Sequence, residues 1–448
     1  MSAHESIREA SSLLARFEMS SEELVRRDLG RAQALSELNA FISLLPDEAI
    51  AEARRLDGMR RHGEILGPLH GIPITAKDLV WSKGQKTTSG SKIDADFVPD
   101  RDAPALASLR AGGAVLLGKT NLHEFAYGVS NVNPHYGAAR NPWDRTRISG
   151  GSSGGSAVAL ASGVGYGSIG TDTGGSIRIP SALCGIVGLK PTYGRVSREG
   201  VTPLSWSLDH VGPMARTVED VVLLYEAMSG ESIEAPESSS LRGLKVGLHR
   251  RYFFENLAPE VEASVGSALT ALESLGASIV EIEVPEIEIQ GSCRNTIAFA
   301  EASCYHEKNI RTRPEDYGED TRELLRLGLL IPATDYLAAL RARRLVVGAF
   351  RRAFEAIDVL AAPSTPAAAP PIGASTLENG EDLRSGLLRL AGPFNTTGFP
   401  ALSLPCGFTE SGLPIGLQLA AAPRRERLLL RVARAFERQS SLGSSPAV

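Results

Sequence analysis

The chain has four cysteines in 448 residues, Cys184, Cys293, Cys304 and Cys406, and no two stand in a CxxC spacing. That argues against a disulfide framework and a thiolate zinc site, and for a reducing compartment. Long hydrophobic runs are missing as well. No stretch reaches the roughly 18 uninterrupted apolar residues of a membrane span. The first residues, MSAHESIREASSLLARFEMS, carry neither an apolar leader core nor a cleavage site. A cytoplasmic location without membrane contact is expected. Charge of one sign is also absent: 47 Lys+Arg stand against 52 Asp+Glu, a net −5. Such a balance gives no electrostatic case for nucleic acid. The sequence has no GxSxG nucleophile elbow, no HExxH and no recognisable carboxylate pair, so no metal and no cofactor are expected. With 43% hydrophobic and 22% charged residues, the composition is that of an ordinary globular protein.

What the chain does have is glycine, 45 residues of it. Glycine is densest at 148–191, ISGGSSGGSAVALASGVGYGSIGTDTGGSIRIPSALCGIVGLKP. Gly/Ser-rich sequence is often a flexible linker. Here the two clusters, 150–156 and 174–176, are separated by apolar 157–161 and followed by Ile177, Ile179, Ile186, Val187 and Leu189, which a linker would not carry. Dense glycine instead points to tight turns and close backbone approach. Serines in such turns present their hydroxyls beside free N–H groups, which suits a nucleophile next to an oxyanion hole.

Along the rest of the chain, apolar spacing predicts helices over 6–17, after the capping-box pattern at 20–23, and from 46 to 61. Residues 72–76 read as a short strand that delivers Lys77 at its end. A helix over 103–111 and a strand over 114–117 follow. This last segment matches the P-loop pattern from Gly113 to Thr120, but the residues between the glycines are apolar and read as the strand itself. The GxGxxG match at 165–170 lacks a βαβ context. Residues 121–149, with His123, Tyr127 and His135, and 192–215, with Trp206, Asp209 and His210, read as loop-rich. A helix is predicted over 217–228 and a polar surface linker over 231–240. Then come a strand at 244–248, a helix at 259–275 and a strand at 277–284. Residues 296–343 read as mainly helical, 359–362 as a strand, 401–404 and 415–419 as a hairpin, and 424–438 as a closing helix.

A serine needs a base, and a buried lysine can serve if burial leaves it neutral near pH 7. A second serine can relay the proton between them. GGSSGGS at 150–156, GTDTGGS at 170–176, Cys184-Gly185, GLKP at 188–191, GIPITAKD at 71–78, GKTNLHEFAYG at 118–128, and LPCGF with GLPIGLQL at 404–419 together resemble the amidase signature family. The matches run from about residue 69 to 419. The resemblance implies an α/β fold: one large domain with a mixed, twisted sheet covered by helices on both sides. On that reading residues 1–65 are an N-terminal helical segment, 66–230 the signature core and 231–448 the remainder of the same fold. It also implies Lys77 as base, Ser152 as relay in a cis peptide, and Ser176 as the acyl-forming nucleophile. Backbone amides of Thr173, Gly174, Gly175 and Ser176 would form the oxyanion hole. Asp172 and Arg178 would pair beneath the loop. Tyr127, Ser153 and Arg343 are the candidate substrate contacts.

The implied activity is hydrolysis of a small-molecule carboxylic amide to acid and amine. The family also includes the glutaminase subunit of tRNA-dependent amidotransferases, and a non-catalytic binding subunit is a third reading. The glutaminase carries an acidic residue that grips the glutamine amino group, and Leu388 stands at that position. The stretch 330–336 and the pair Tyr305-His306 resemble hydrolases of small nitrogen compounds such as carboxybiuret. A small-molecule amide is the expected partner, with a homodimer as the expected assembly.

Overall fold

Each parallel strand of this chain ends beside its neighbour's end, and those ends carry the chemistry. The structure is a computed structural model that describes residues 5–233, 240–440 and Pro446. Residues 234–239 of the expected surface linker lie outside the described residues.

Eleven strands form one mixed sheet. In chain order they are β1 (Phe41–Leu44), β2 (Pro73–Lys77), β3 (Val115–Thr120), β8 (Gly167–Asp172), β9 (Val187–Lys190), β10 (His210–Ala215), β11 (Lys245–Leu248), β12 (Ser278–Glu281), β13 (Val359–Pro363), β14 (Ala401–Phe408) and β15 (Pro414–Ala421). The short β4 (Val132–Asn133), β5 (Gly137–Ala138), β6 (Arg140–Asn141) and β7 (Asp144–Ile148) make two small ribbons. The order across the sheet is β1-β3-β2-β8-β10-β9-β14-β15-β13-β11-β12. Strand β2 is parallel to both β3 and β8, whereas β10 is antiparallel to both its neighbours. The expected hairpin is β14–β15.

The helices are α1 (Ile7–Ala15), α2 (Ser21–Ala34), α3 (Pro46–Arg61), α4 (Pro104–Ala111), α5 (Gly154–Ala161), α6 (Arg178–Cys184), α7 (Val218–Ser229), α8 (Arg250–Phe253), α9 (Pro259–Ser274), α10 (Gln290–Thr312), α11 (Glu319–Gly328), α12 (Ala333–Ala356), α13 (Leu383–Ala391), α14 (Pro393–Thr397) and α15 (Glu426–Ser440). Capping boxes start α1 and α2: Ser6 and Ser20 accept from the amides of Glu9 and Glu23, whose carboxylates accept in return from the serine amides. The sheet divides the core, because successive side chains of a strand point to opposite faces. On β3, Val115 and Leu117 pack with apolar residues of α2, α3 and α5, while Leu116 joins those of α4, α7, α9 and α15. This is the expected domain, a mixed sheet with helices on both faces.

One expectation needs correction. Residues 192–215 are not all loop: His210–Ala215 forms β10, in the middle of the sheet. Its glycine, proline and histidine hide the strand pattern, and pairing on both edges overrides that weak propensity. The glycine-rich run after α5, for which no element is predicted, is likewise a fully buried strand, β8. Among the described residues no helix is long and apolar enough to cross a membrane.

The first turn of α5 sits tightly on the chain. A Cβ at Gly155 would lie 2.5 Å from Ala40 O and equally close to the backbone N and O of Asn121. Backbone atoms cannot step aside. Gly155→Ala is expected to lower stability by about 1–3 kcal/mol, read as a lower urea midpoint at constant m-value. An unchanged midpoint would mean that α5 shifts without cost.

Candidate active site

The parallel pairing of β2 with β8 brings their carboxyl ends together, with Ala76 opposite Ile169. Lys77 at the end of β2 therefore meets Thr171, and its Nζ lies 2.8 Å from Thr171 Oγ1 and 2.7 Å from Ser152 Oγ. Lys77 is wholly buried. Burial pulls its ammonium down to about 7, against the opposing pull of the Asp172 and Asp209 carboxylates. Neither contact of its Nζ is a carboxylate, so nothing beside it holds the proton on.

Ser152 follows a cis Gly151–Ser152 peptide bond, and Ser153 caps α5. Ser153 ties the two glycine-serine loops together: its amide donates to Ser176 O at 3.2 Å, and its Oγ to Thr171 O at 3.2 Å. Ser153 is thus committed to backbone contacts within the loops.

Ser176 is nearly buried on the loop between β8 and α6. The loop turns at Gly175, whose φ of +136° favours glycine. Asp172 holds this turn from below. Its Oδ1 accepts from the Gly175 amide at 2.8 Å, and its Oδ2 from the Ile177 amide at 3.1 Å. The buried Arg178 donates to both oxygens, at 2.9 and 3.1 Å. Burial alone would push this carboxyl up, but Arg178 keeps it well below the usual range. Gly175 consequently drops out of the expected oxyanion hole, because its N–H is taken. The amides of Thr173, Gly174 and Ser176 have no partner among the described residues.

A cleft opens at Ser176, walled by Tyr127, Leu388, Phe299, Arg294 and Arg384, with Thr173 and Gly174 on its floor. Thr173 is shared with an adjoining cavity of ≈ 180 Å³ that reaches Arg198 and Asp209. The wall at Phe125 and Ala126 holds left-handed φ values of 48° and 60°, a conformation rare for residues with side chains. Tyr127 lines this cleft, and its hydroxyl is buried with no partner among the described residues. Arg343 stands apart from the lining. It donates to Thr396 O at 2.7 Å and Ser207 O at 3.0 Å, strapping α12 to α14 and to the 204–209 loop. His123 and His135 bond Asp320 and Glu124.

Three side chains escaped the sequence reading. Asp209, in a stretch read as loop, accepts from Thr173 Oγ1 at 2.6 Å and from the amides of Leu204 and Ser205. Burial pushes its carboxyl up to about 6. Arg294 and Arg384 are each one of two arginines on α10 and α13, beside Arg311 and Arg389, and no spacing signal separates them from those. Among the described residues no group of three His, Cys, Asp or Glu is placed to hold a metal ion.

Comparison with known proteins agrees with this geometry. The Amidase family model matches residues 23–430. A glutamyl-tRNA(Gln) amidotransferase subunit of Chloroflexus aurantiacus (strain ATCC 29366 / DSM 635 / J-10-fl) is 40% identical, over 97% of this chain and 96% of that protein. A solved structure described as an amidase superposes with a TM-score of 0.92 at 38% identity, covering 97% of this chain and 100% of the other. A chain from a vestigial protein complex, described as revealing the evolutionary origins of an s-triazine catabolic enzyme, gives 0.92 at 37% identity, covering 99% and 100%. With the family model matched over residues 23–430 and the fold shared with solved amidases, the chain belongs to the Amidase family, the amidase-signature hydrolases of carbon–nitrogen bonds.

Proposed function

We propose that this chain hydrolyses a small carboxylic amide through an acyl-enzyme on Ser176. The observation that carries the reading is Lys77. It is buried, held near neutrality at pH 7, and 2.7 Å from the hydroxyl of Ser152. As a free amine, Lys77 donates one N–H to Thr171 Oγ1 and accepts the Ser152 proton on its lone pair. Ser152 in turn takes the proton of Ser176, whose Oγ attacks the amide carbon. The negative oxygen of the tetrahedral intermediate is received by the amides of Thr173, Gly174 and Ser176. The proton returns along the same path to the amide nitrogen, the C–N bond breaks, and ammonia or an amine leaves. Water, deprotonated by the same base, then opens the serine ester and frees the acid.

An amide without an ammonium group is favoured over glutamine. Glutamine carries an ammonium group, and the cleft at Ser176 has no carboxylate in its lining. Leu388 occupies the wall where the resemblance calls for an acid. The relatives named as glutamyl-tRNA(Gln) amidotransferase subunits keep the glutaminase as the competing reading.

The test is ammonia release from a panel of carboxamides that includes glutamine, with and without Ser176→Ala. Turnover is expected to fall by at least about 10⁴-fold in the variant, with an unchanged circular dichroism spectrum. A fluorophosphonate should label the peptide that contains Ser176. Retained turnover in the variant would sink the assignment.

The pH profile supplies a second check. Lys77 works as the free amine, so kcat/KM is expected to rise with pH through about 7. Asp209 raises the proton affinity of Lys77 through space, and it also orients Thr173. Asp209→Asn is therefore expected to lower kcat and to shift the rising limb to lower pH. A loss of kcat with an unmoved limb would reduce Asp209 to a scaffold for Thr173.

A further inference from the structure

The cleft beside Ser176 holds two guanidinium groups and no anion. Arg294 is only 6% exposed. Its Nη1 donates to Leu388 O at 3.1 Å and its Nη2 to Asn295 Oδ1 at 3.0 Å, both neutral acceptors. Arg384 is half-buried. It donates to Tyr127 O at 3.0 Å and lies 5.5 Å from the centre of the Tyr127 ring. Neither arginine forms an ion pair among the described residues, and Asp320 and Asp382 act on Arg384 only through space. Burial lowers both groups, Arg294 to about 10, where the nearby charge of Arg384 adds to the effect. Both remain charged at neutral pH.

A buried cation without a counter-ion is costly, and buried charges in folded proteins are as a rule paired. Arg294 is such a cation, and the half-buried Arg384 adds a second positive charge on the same cleft wall. The backbone leaves room for Arg294 as well: a Cβ at Gly392 would fall 1.6 Å from Arg294 Nη1. The unpartnered Tyr127 hydroxyl adds a third donor at the same wall.

We propose that the substrate is an amide that also bears a carboxylate, held by Arg294 and Arg384 while its scissile carbonyl lies against Ser176. This rests on Ser176 as the nucleophile. The planar guanidinium matches a two-oxygen carboxylate. Leu388 and Phe299 offer an apolar surface to the linking carbons. An ammonium on the same substrate would face two cations and no acid, so glutamine is a poorer ligand than its deamino analogue glutaramate.

The test is calorimetric titration of full-length Ser176→Ala, which binds without turnover. The ligands are malonamate, succinamate and glutaramate, each paired with its neutral counterpart: propionamide, butyramide and pentanamide. At least one acid is expected to bind about 10- to 100-fold tighter than its neutral partner. That preference should collapse when Arg384→Met or Arg294→Met is added. Leu388→Asp should collapse it too, by giving the guanidinium groups an internal counter-ion while both arginines stay in place. Equal affinity for acid and neutral amide, no detectable binding of any acid, or a preference unmoved by Arg384→Met would overturn the inference. Charge-blind binding with a fluorophosphonate-labelled Ser176 sinks this inference alone. An unlabelled Ser176 sinks the amide-hydrolysis reading, whatever the anion preference.

Discussion

The site depends on one ammonium kept out of water without a carboxylate against it. Three buried lysines show what that choice means. Lys119, on the neighbouring strand β3, lies 3.2 Å from Asp78 Oδ1 and donates to Val80 O and Thr87 Oγ1. Lys190 donates to the carbonyls of Phe399 and Pro191. Lys77 alone of the three contacts two serine or threonine hydroxyls, one of which leads toward a second serine. Burial removes hydration from all three, and the partner decides the consequence. A carboxylate makes Lys119 structural, and the P-loop pattern that contains it is thereby accounted for as packing. Contact with hydroxyls alone suits Lys77 to the role of base in the proposed mechanism.

The nucleophile loop is held in place by residues more than two hundred positions further along the chain. Asp172 fixes the turn at Gly175 and Ile177, and Arg178 fixes Asp172. Arg178 is in turn bound to Ala391 O, Asn395 Oδ1 and Gln418 Oε1, at 2.8, 2.7 and 2.7 Å. Asn395 closes the circuit by donating to Asp172 Oδ1 at 2.8 Å. A buried network of this kind contributes little net stability, since desolvation offsets its attraction, but breaking it leaves an uncompensated charge. Its effect falls on geometry. It holds in place the loop that carries the unpartnered amides of Thr173, Gly174 and Ser176.

How much of this was legible depended on whether chemistry or context chose the residue. The strand that ends at Lys77 and the two glycine-serine loops stood out in the sequence itself, and the resemblance to the amidase signature family singled out Ser152 and Ser176 among the serines of those loops. The main helices were legible from spacing and caps, as the boxes at Ser6 and Ser20 show. Strands β8 and β10 were not, because glycine, proline and histidine carry no period-two apolar pattern and their burial comes from strands on both sides. Asp209, Arg294 and Arg384 were hidden for another reason. Each is an ordinary residue on an ordinary element until the fold turns it toward Thr173 or the cleft. Arg343 shows the converse: an arginine noticed in the sequence, which the fold spends on two backbone carbonyls.

The charges around Ser176 fall into layers of opposite sign. Asp172 and Asp209 lie on the loop side and raise the proton affinity of Lys77, while burial lowers it further than they restore it. Arg294 and Arg384 lie on the cleft wall. A carboxylate docked there would bring a negative charge toward the base and, alone, would push Lys77 back toward its protonated form. Docked against two guanidinium groups, that charge is already compensated, so the base keeps its setting when the ligand arrives. An arrangement that neutralises the substrate's charge before chemistry begins leaves the oxyanion as the one uncompensated negative charge in the cleft, and that is the charge the loop amides are placed to receive.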